Sequence, residues 1–426
     1  MTTDLAMAPV RSAEISVFRA PIEKAVRTSF GIMHDRPAVL LRLEDEDGTH
    51  GWGEAWCNFP SCGAEHRARL LETAILPKVI GKAWSSPAAL SADVAGQLEV
   101  LRLQADEPGP MSQALAALDI ALWDLAARRA GRPLHRFLGG RGDGSMPVYA
   151  SGINHPGIAE TIRRTRAEGY RCFKIKIGFS EQSDAANLEE AFATLLPGEE
   201  LAVDVNQAWT RRQALAGFEK LRHWPLLWIE EPLRCDSPVE DWAALAAAAP
   251  HPLAAGENIR SHADFSAAII RRHLGVIQPD ICKWGGLSNC LPVARAVLKA
   301  GLRYCPHYLG GGIGLLAVPA GLDGFGQRPG VHPAHEAAYE LELAAPAFAV
   351  ADAGIQAQGL QQVGRQGQPV QLADGQFGQL GAQILQGRAL ALFGRAAELF
   401  GGLLAAALRI PLVLFLARHL RAPLPG

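Results

Sequence analysis

The sequence predicts an α/β protein, an N-terminal α+β unit followed by a parallel β/α barrel, and three observations predict it. Acidic residues end three successive strand-like runs: Asp204 in LAVDVNQ, Glu230 in LLWIEEP and Glu257 in LAAGEN. They stand 26 and 27 residues apart, about one strand-helix repeat of a barrel whose active site gathers where its strands end. Seven short apolar runs alternate with helical stretches through the middle of the chain. Ahead of them strands come first and helices second, the order of a separate α+β unit.

The elements follow in chain order. Residues 14–55 alternate in the β manner, and Asp47-Gly48 marks a hairpin. From about residue 64 to 131 the pattern is helical. MSQALAALDIALWDLAARRAG is the clearest helix, stopped by Gly131 and Pro133. LGGRGDG then reads as a linker. The barrel strands are VYASG (148–152), CFKIKIG (172–178), LAVDV (201–205), LLWIEE (226–231), LAAGE (253–257), GVIQPD (275–280) and LRYCPH (302–307). A doubly wound sheet shares this alternation, but functional residues ending so many successive strands favour a closed barrel. The boundaries read as 1–135 for the α+β unit, 145–344 for the barrel and 345–426 for an atypical C-terminal tail.

Composition sets the outer limits. At 426 residues, 49% hydrophobic and 20% charged, the chain can bury a large core, and two domains are the natural expectation. A net charge of −2 without a long Lys/Arg run offers no electrostatic basis for nucleic-acid binding. Seven scattered cysteines read as reduced thiols in a cytoplasmic protein. The first fifteen residues hold no apolar signal-peptide core. Residues 399–417 are apolar enough to suggest a membrane span, but Arg409 and Pro411 interrupt them. The expected partners are a small-molecule carboxylate and further copies of the chain, not nucleic acid or membrane.

Three carboxylates converging at strand ends repel one another unless a cation lies between them, and hard oxygen ligands without Cys or His point to Mg²⁺. Lys174 and Lys176 alternate with apolar residues in FKIKIG, so both face the same side of one strand. Two inward lysines need an anion or a metal-bound substrate nearby; a second cation lowers a lysine's pKa and makes it a usable base. A surface strand with two solvated lysines is the plainer alternative. Asp280 and His307 end the next two predicted strands, again 27 residues apart, so the carboxylate should orient the imidazole. Asn206 shares a strand face with Asp204 and could hydrogen-bond a ligand. The run GGGIG (310–314) reads as a strand-to-helix turn with backbone N–H groups available to an anion.

In ALDIALWDLAARRAGRPLHRFLGG, the KIK strand, DVNQ, IEEP, GEN, QPDICKWGGLSN and PHYLGGG, in that order, the chain resembles the enolase superfamily in its mandelate racemase and muconate lactonizing branch. The resemblance runs from about residue 14 to about residue 317. It implies a capping α+β domain over a modified TIM barrel, and abstraction of a proton α to a carboxylate with Mg²⁺ stabilising the enediolate. It makes Asp204, Glu230 and Glu257 the metal ligands, with Glu231 behind them. Lys176 becomes one acid/base, Lys174 a contact of the substrate carboxylate, and His307 with Asp280 the base on the opposite face. A lysine stands at the position of Asp280 in muconate lactonizing relatives, so Asp280 places the chain with the mandelate racemase type and makes Lys283 a supporting residue. Two opposed bases permit racemisation or epimerisation. Alternatively His307 acts as an acid and expels a β-hydroxyl, as in sugar-acid dehydratases. The resemblance assigns substrate choice to the loops 26–35 and 55–62; no run of arginines there demands a diacid.

The resemblance also implies an eighth strand with another Glu. Only YELELA (339–344) offers one, with Glu340 and Glu342 as substitutes. Past Lys299 the chain has no lysine, and eleven glutamines fall between Gln356 and Gln386. A shift of coding frame near residue 317 would explain that bias and could leave an inactive or binding-only barrel; a partial last strand is the competing reading.

Overall fold

The computed structural model describes residues 7–27, 31–140, 148–322 and 339–342. The chain divides into Met1–Ala353 and Gly354–Gly426. The second unit, with the glutamine-rich and apolar parts of the tail, lies outside the described residues, as does most of the predicted linker.

The N-terminal part opens with an antiparallel meander of β1 (Val10–Arg27), β2 (Ile32–Asp45) and β3 (His50–Ala55). The predicted turn lies between β2 and β3. Four helices follow: α1 (Gly63–Leu70), α2 (Pro87–Gln104), α3 (Pro108–Arg129) and α4 (Leu134–Phe137). The predicted clear helix is α3, and its Leu118, Leu122 and Leu125 are fully buried, each contributing about 1.5–3 kcal/mol. It lies so close to β3 that a Cβ on Gly53 would fall 1.9 Å from the Ala117 carbonyl oxygen. Only glycine admits that approach, so Gly53 sets the distance between helix and sheet.

The barrel alternates as expected. In chain order it runs β4 (Val148–Ile153), α5 (Ile158–Ala167), β5 (Cys172–Lys176), α6 (Glu181–Thr194), β6 (Glu200–Asp204), α7 (Arg211–Leu221), β7 (Leu226–Glu230) and α8 (Val239–Ala248). It continues with β8 (Leu253–Ala255), α9 (His262–Arg271), β9 (Val276–Ile277), α10 (Gly286–Lys299), β10 (Arg303–Tyr304), α11 (Gly312–Leu322) and β11 (Tyr339–Glu342). All seven predicted strands are present. The sheet is parallel, in the order β10-β9-β8-β7-β6-β5-β4-β11. The run proposed as an eighth strand therefore pairs with β4, in the register Tyr339↔Val148 to Glu342↔Ser151. The side chains of Glu340 and Glu342 lie outside the described residues.

Alternation along the strands sorts the side chains into two layers. Phe173, Ile175, Leu201, Val203 and Ile229 join the core under the helices. Tyr149, Cys172, Ala202, Trp228, Ala254, Val276 and Cys305 fill the barrel interior. One step further along the interior faces stand Lys174, Asp204 and Glu230, each nearly inaccessible. Lys176 also turns inward, toward Asp204. The alternative of two solvated surface lysines is thereby set aside.

Several strands end earlier than the sequence suggests, among them β8, which stops at Ala255 and leaves Glu257 beyond it. Asp280 and His307 stand beyond β9 and β10, joined by an isolated parallel bridge. Pro279 and Pro306 precede them and have no N–H to continue a ladder. Among the described residues no helix is long and apolar enough to cross a membrane.

Candidate active site

Register brings the first half of the site together. Lys176 on β5 pairs with Asp204 on β6, and Asp204 with Glu230 on β7. Lys176 Nζ lies 2.5 Å from Asp204 Oδ2, and Lys174 Nζ 2.5 Å from Glu230 Oε1 and 3.7 Å from Asp204 Oδ2. Glu230 Oε2 accepts from Trp228 Nε1 at 3.0 Å and from Gln278 Nε2 at 2.8 Å. The barrel floor thus fixes this carboxylate from below. Asn206, with a positive φ of 48°, donates its backbone N–H to Asp204 Oδ1 at 2.7 Å and its side-chain amide to Oδ2 at 3.1 Å.

The second half gathers on Glu257. Its Oε1 accepts from Lys283 Nζ at 3.0 Å and from Asn258 Nδ2 at 2.9 Å; its Oε2 lies 2.7 Å from His307 Nε2. The other ring nitrogen, Nδ1, is 2.7 Å from Asp280 Oδ2. Asp280 is held in turn, since its Oδ1 accepts from the backbone N–H groups of Cys282 and Lys283 at 2.8 and 3.0 Å. The ammonium of Lys283 lies 4.7 Å from the centre of the Trp56 ring, which comes from the predicted specificity loop 55–62. Residues 28–30 of the other such loop lie outside the described residues.

Electrostatics follow the crowding. Burial alone would raise the Glu257 carboxyl, but His307 and Lys283 hold it well below the ordinary carboxylate range. Glu231 moves the other way: burial first, then the neighbouring Glu257 and Asp204, push it well above. Burial opposes the charge on Lys283, yet Glu257, Asp280 and Glu231 together raise its pKa.

Each of the predicted residues Asp204, Glu230, Glu257, Lys174, Lys176, Asn206, Asp280 and His307 belongs to this constellation. Among the described residues no three Asp, Glu, His or Cys side chains stand at metal-ligating distance, because Lys176, Lys174 and Lys283 with His307 occupy Asp204, Glu230 and Glu257 respectively. By donor chemistry the three carboxylates could hold a hard divalent cation: all donors are oxygen, Asp204 and Glu230 end adjacent strands, and Glu257 follows the next one.

Sequence reading missed several supports. Gln278 lies two residues before Asp280, a period-two spacing that could have marked it. Asn258 adjoins Glu257 in GEN. Nothing local signals that Trp228 reaches Glu230; Lys283, expected as a supporting residue, stands on Glu257. The anion at GGGIG is the protein's own: Glu54 of β3 accepts from the backbone N–H of Gly311 and from that of Gly314 at 2.9 Å.

Comparison with known proteins identifies the family. Residues 12–139 match the mandelate racemase / muconate lactonizing enzyme N-terminal domain, and residues 157–359 match the enolase C-terminal domain-like family. The second match continues past residue 317, where the recognisable motifs stop. D-galactarolactone cycloisomerase of Agrobacterium fabrum is 30% identical over 297 residues, 68% of this chain and 76% of that protein. L-talarate/galactarate dehydratase of Salmonella typhimurium is 34% identical over 206 residues, 47% of this chain and 51% of that protein. The crystal structure of a mandelate racemase/muconate lactonizing enzyme from Bordetella bronchiseptica RB50 is 48% identical, with a TM-score of 0.72, over 79% of this chain and 88% of that one. A racemase from Streptomyces coelicolor A3(2) with bound magnesium is 25% identical, with a TM-score of 0.69, over 78% and 89% of the two chains. Matched over both its N-terminal and barrel parts, the chain belongs to the mandelate racemase / muconate lactonizing enzyme family of the enolase superfamily, a family of enzymes.

Proposed function

We propose that the chain removes the proton α to the carboxylate of a hydroxy acid in a Mg²⁺-dependent reaction, and that the outcome is dehydration of a sugar acid. One observation carries the reading: the two candidate bases sit at opposite ends of the carboxylate row. Lys176 is on Asp204 at one end, and His307 is on Glu257 at the other, with Glu230 between.

Asp204, Glu230 and Glu257 would hold the cation. When bound, it supplies positive charge where negative charge develops on the substrate carboxylate. Lys174, buried between Glu230 and Asp204, adds charge on the same side. Lys176, released from Asp204 and in its neutral amine form, takes the α-proton on one face. His307, its Nδ1 side anchored by Asp280, gives its Nε2 proton to the departing β-hydroxyl on the other face. Water leaves, and the enol tautomerises to a 2-keto acid. If no β-hydroxyl departs, His307 gives its own Nε2 proton to the α-carbon while Lys176 keeps the one it took, giving racemisation or epimerisation. Dehydration is preferred because the matched relatives include a sugar-acid dehydratase and because the His–Asp pair suits a proton donor. Seven scattered cysteines, read as thiols, fit the cytoplasm.

The test is incubation with Mg²⁺ in D₂O against a panel of 2-hydroxy and sugar acids, followed by NMR. A 2-keto product supports dehydration. Deuterium in recovered substrate supports the racemase outcome. If no acid exchanges and Mg²⁺ does not bind, the enzymatic reading falls.

A further inference from the structure

Two fully buried carboxylates of the N-terminal part have no place in that reaction. Glu54 on β3 and Asp119 on α3 are each at most 1% exposed. Each reaches across to the start of a barrel helix. Glu54 accepts from the backbone N–H groups of Gly311 and Gly314 at the head of α11, and from Tyr308 Oη at 3.2 Å. Asp119 Oδ1 accepts from the Ser288 N–H in the first turn of α10 at 3.0 Å, and Trp123 Nε1 donates to Ser288 Oγ at 2.9 Å.

These helices are a particular pair. The segment between β9 and α10 carries Asp280 and Lys283; the segment between β10 and α11 carries His307 and Tyr308. Three other barrel helices carry their own caps, Ser180 for α6, Thr210 with Gln213 for α7 and Ser261 for α9, while α5 and α8 have no side-chain cap. Gly285, which precedes α10, makes no side-chain cap. The residue after it is shaped to the visitor: Gly286 has a φ of +55°, and a Cβ there would lie 2.3 Å from Asp119 Oδ1. A third tie, from the Trp56 N–H to the Cys282 carbonyl at 3.2 Å, lands between Asp280 and Lys283.

We infer that Glu54 and Asp119 are positioning residues for the His307–Asp280 pair, so that the His face of the site is assembled by the docking of the N-terminal part while the Lys face is assembled by the barrel alone. Unsatisfied N–H groups at a helix start attract a carboxylate. Where that carboxylate comes from another part of the fold, it fixes the helix and the segment leading into it. Asp280 and His307 stand beyond their strands, where an isolated bridge, with the His307 N–H on the Pro279 carbonyl at 3.2 Å, ties the two segments to each other but not to the helices that follow.

The test uses the full chain with ¹⁵N-labelled histidine. The Nδ1 proton that His307 shares with Asp280 should give a far-downfield, slowly exchanging signal, assigned by its loss in His307→Asn. Glu54→Gln puts an amide NH₂ where one of two backbone N–H donors now points, and Asp119→Ala removes the other cap. In both variants the signal should broaden or disappear, with Thr210→Ala as a control that leaves it. Tyr308→Phe, milder than either, should hasten exchange of that proton and serves if either variant fails to fold. An unchanged signal in every folded variant overturns the inference.

A second arm rests on the proposed function and uses the acid that wild type exchanges in D₂O. The His-face rate should fall about a hundredfold, the scale of a misplacement of about 1 Å, while the Lys-face rate holds. An equal fall on both faces means only general damage, and overturns the inference. If wild type exchanges no acid, the proposed function fails instead, and the histidine signal still decides this inference.

Discussion

The Lys half and the His half of this site are built by different means. Lys174, Lys176, Asp204 and Glu230 hang from three paired strands, with Lys176 opposite Asp204 and Asp204 opposite Glu230. Two consecutive strand ends and a period of two define them. Asp280 and His307 lie past their strands behind prolines, joined by an isolated bridge, and contacts from Glu54, Trp56 and Asp119 hold the segments around them. One half follows from local pattern; the other depends on contacts between residues more than 150 positions apart. Damage to the N-terminal part should therefore fall on one face of the reaction.

The sharpest separation comes from the two bases themselves. Lys176→Ala and His307→Asn should each remove exchange on one face, by about 10²–10⁴-fold, the usual worth of a general acid or base. Mg²⁺ should remain bound in both, which calorimetry can establish. Loss of metal in either variant would refute the division of roles. Lys174→Ala acts on the fold as well as the chemistry. It strands Glu230, buried, without its 2.5 Å cation, and breaking such a buried pair costs about 3–5 kcal/mol. Urea denaturation in the absence of Mg²⁺ should show that loss, and added Mg²⁺ should recover part of it by binding only the folded chain.

The junction of the His half has a pH signature. Burial raises the Asp119 carboxyl from 3.8 to about 6, partly offset by its hydrogen bonds to Ser288. The folded chain thus holds this proton more tightly than the unfolded chain does. The stability favoured by Asp119 is complete below the unfolded value of 3.8 and is lost as pH rises through about 6. The difference is about 3 kcal/mol. Asp119→Asn cannot titrate, so wild type should lose about that much stability relative to the variant between acid and neutral pH. Parallel stability curves for the two chains would refute the buried, shifted carboxyl.

What was legible in the sequence divides along the same line. The barrel, its seven strands and the places of Asp204, Glu230 and Glu257 at or just past successive strand ends could be read because apolar runs, acids and βα spacing repeat locally. The Asp280–His307 pair was legible from spacing, although the two residues stand outside the strands assigned to them. Glu54 was not legible: GWGEAW looks like any strand end, and its partner N–H groups lie more than 250 residues away. Asp119 sits in an amphipathic helix where an acid reads as surface, yet it is fully buried. GGGIG was legible as an anion-binding turn, but not as the seat of an internal carboxylate.

The smallest expected effect tests whether the division between halves is real. Thr210 and Gln213 close a capping box at the start of α7, with the Gln213 N–H on Thr210 Oγ1 at 3.3 Å and the Thr210 N–H on Gln213 Oε1 at 2.9 Å. Both bonds lie within one turn, in the helix that follows Asp204. Thr210→Ala should cost about 1 kcal/mol of stability, read as a modest shift of the denaturation midpoint. It should leave the His307–Asp280 proton signal untouched, because the Lys half is held by strand register and not by what caps its helices. If this local cap disturbs the His307 signal as much as Glu54→Gln does, the two halves are mechanically one, and the distinction between a locally built face and a docked face fails.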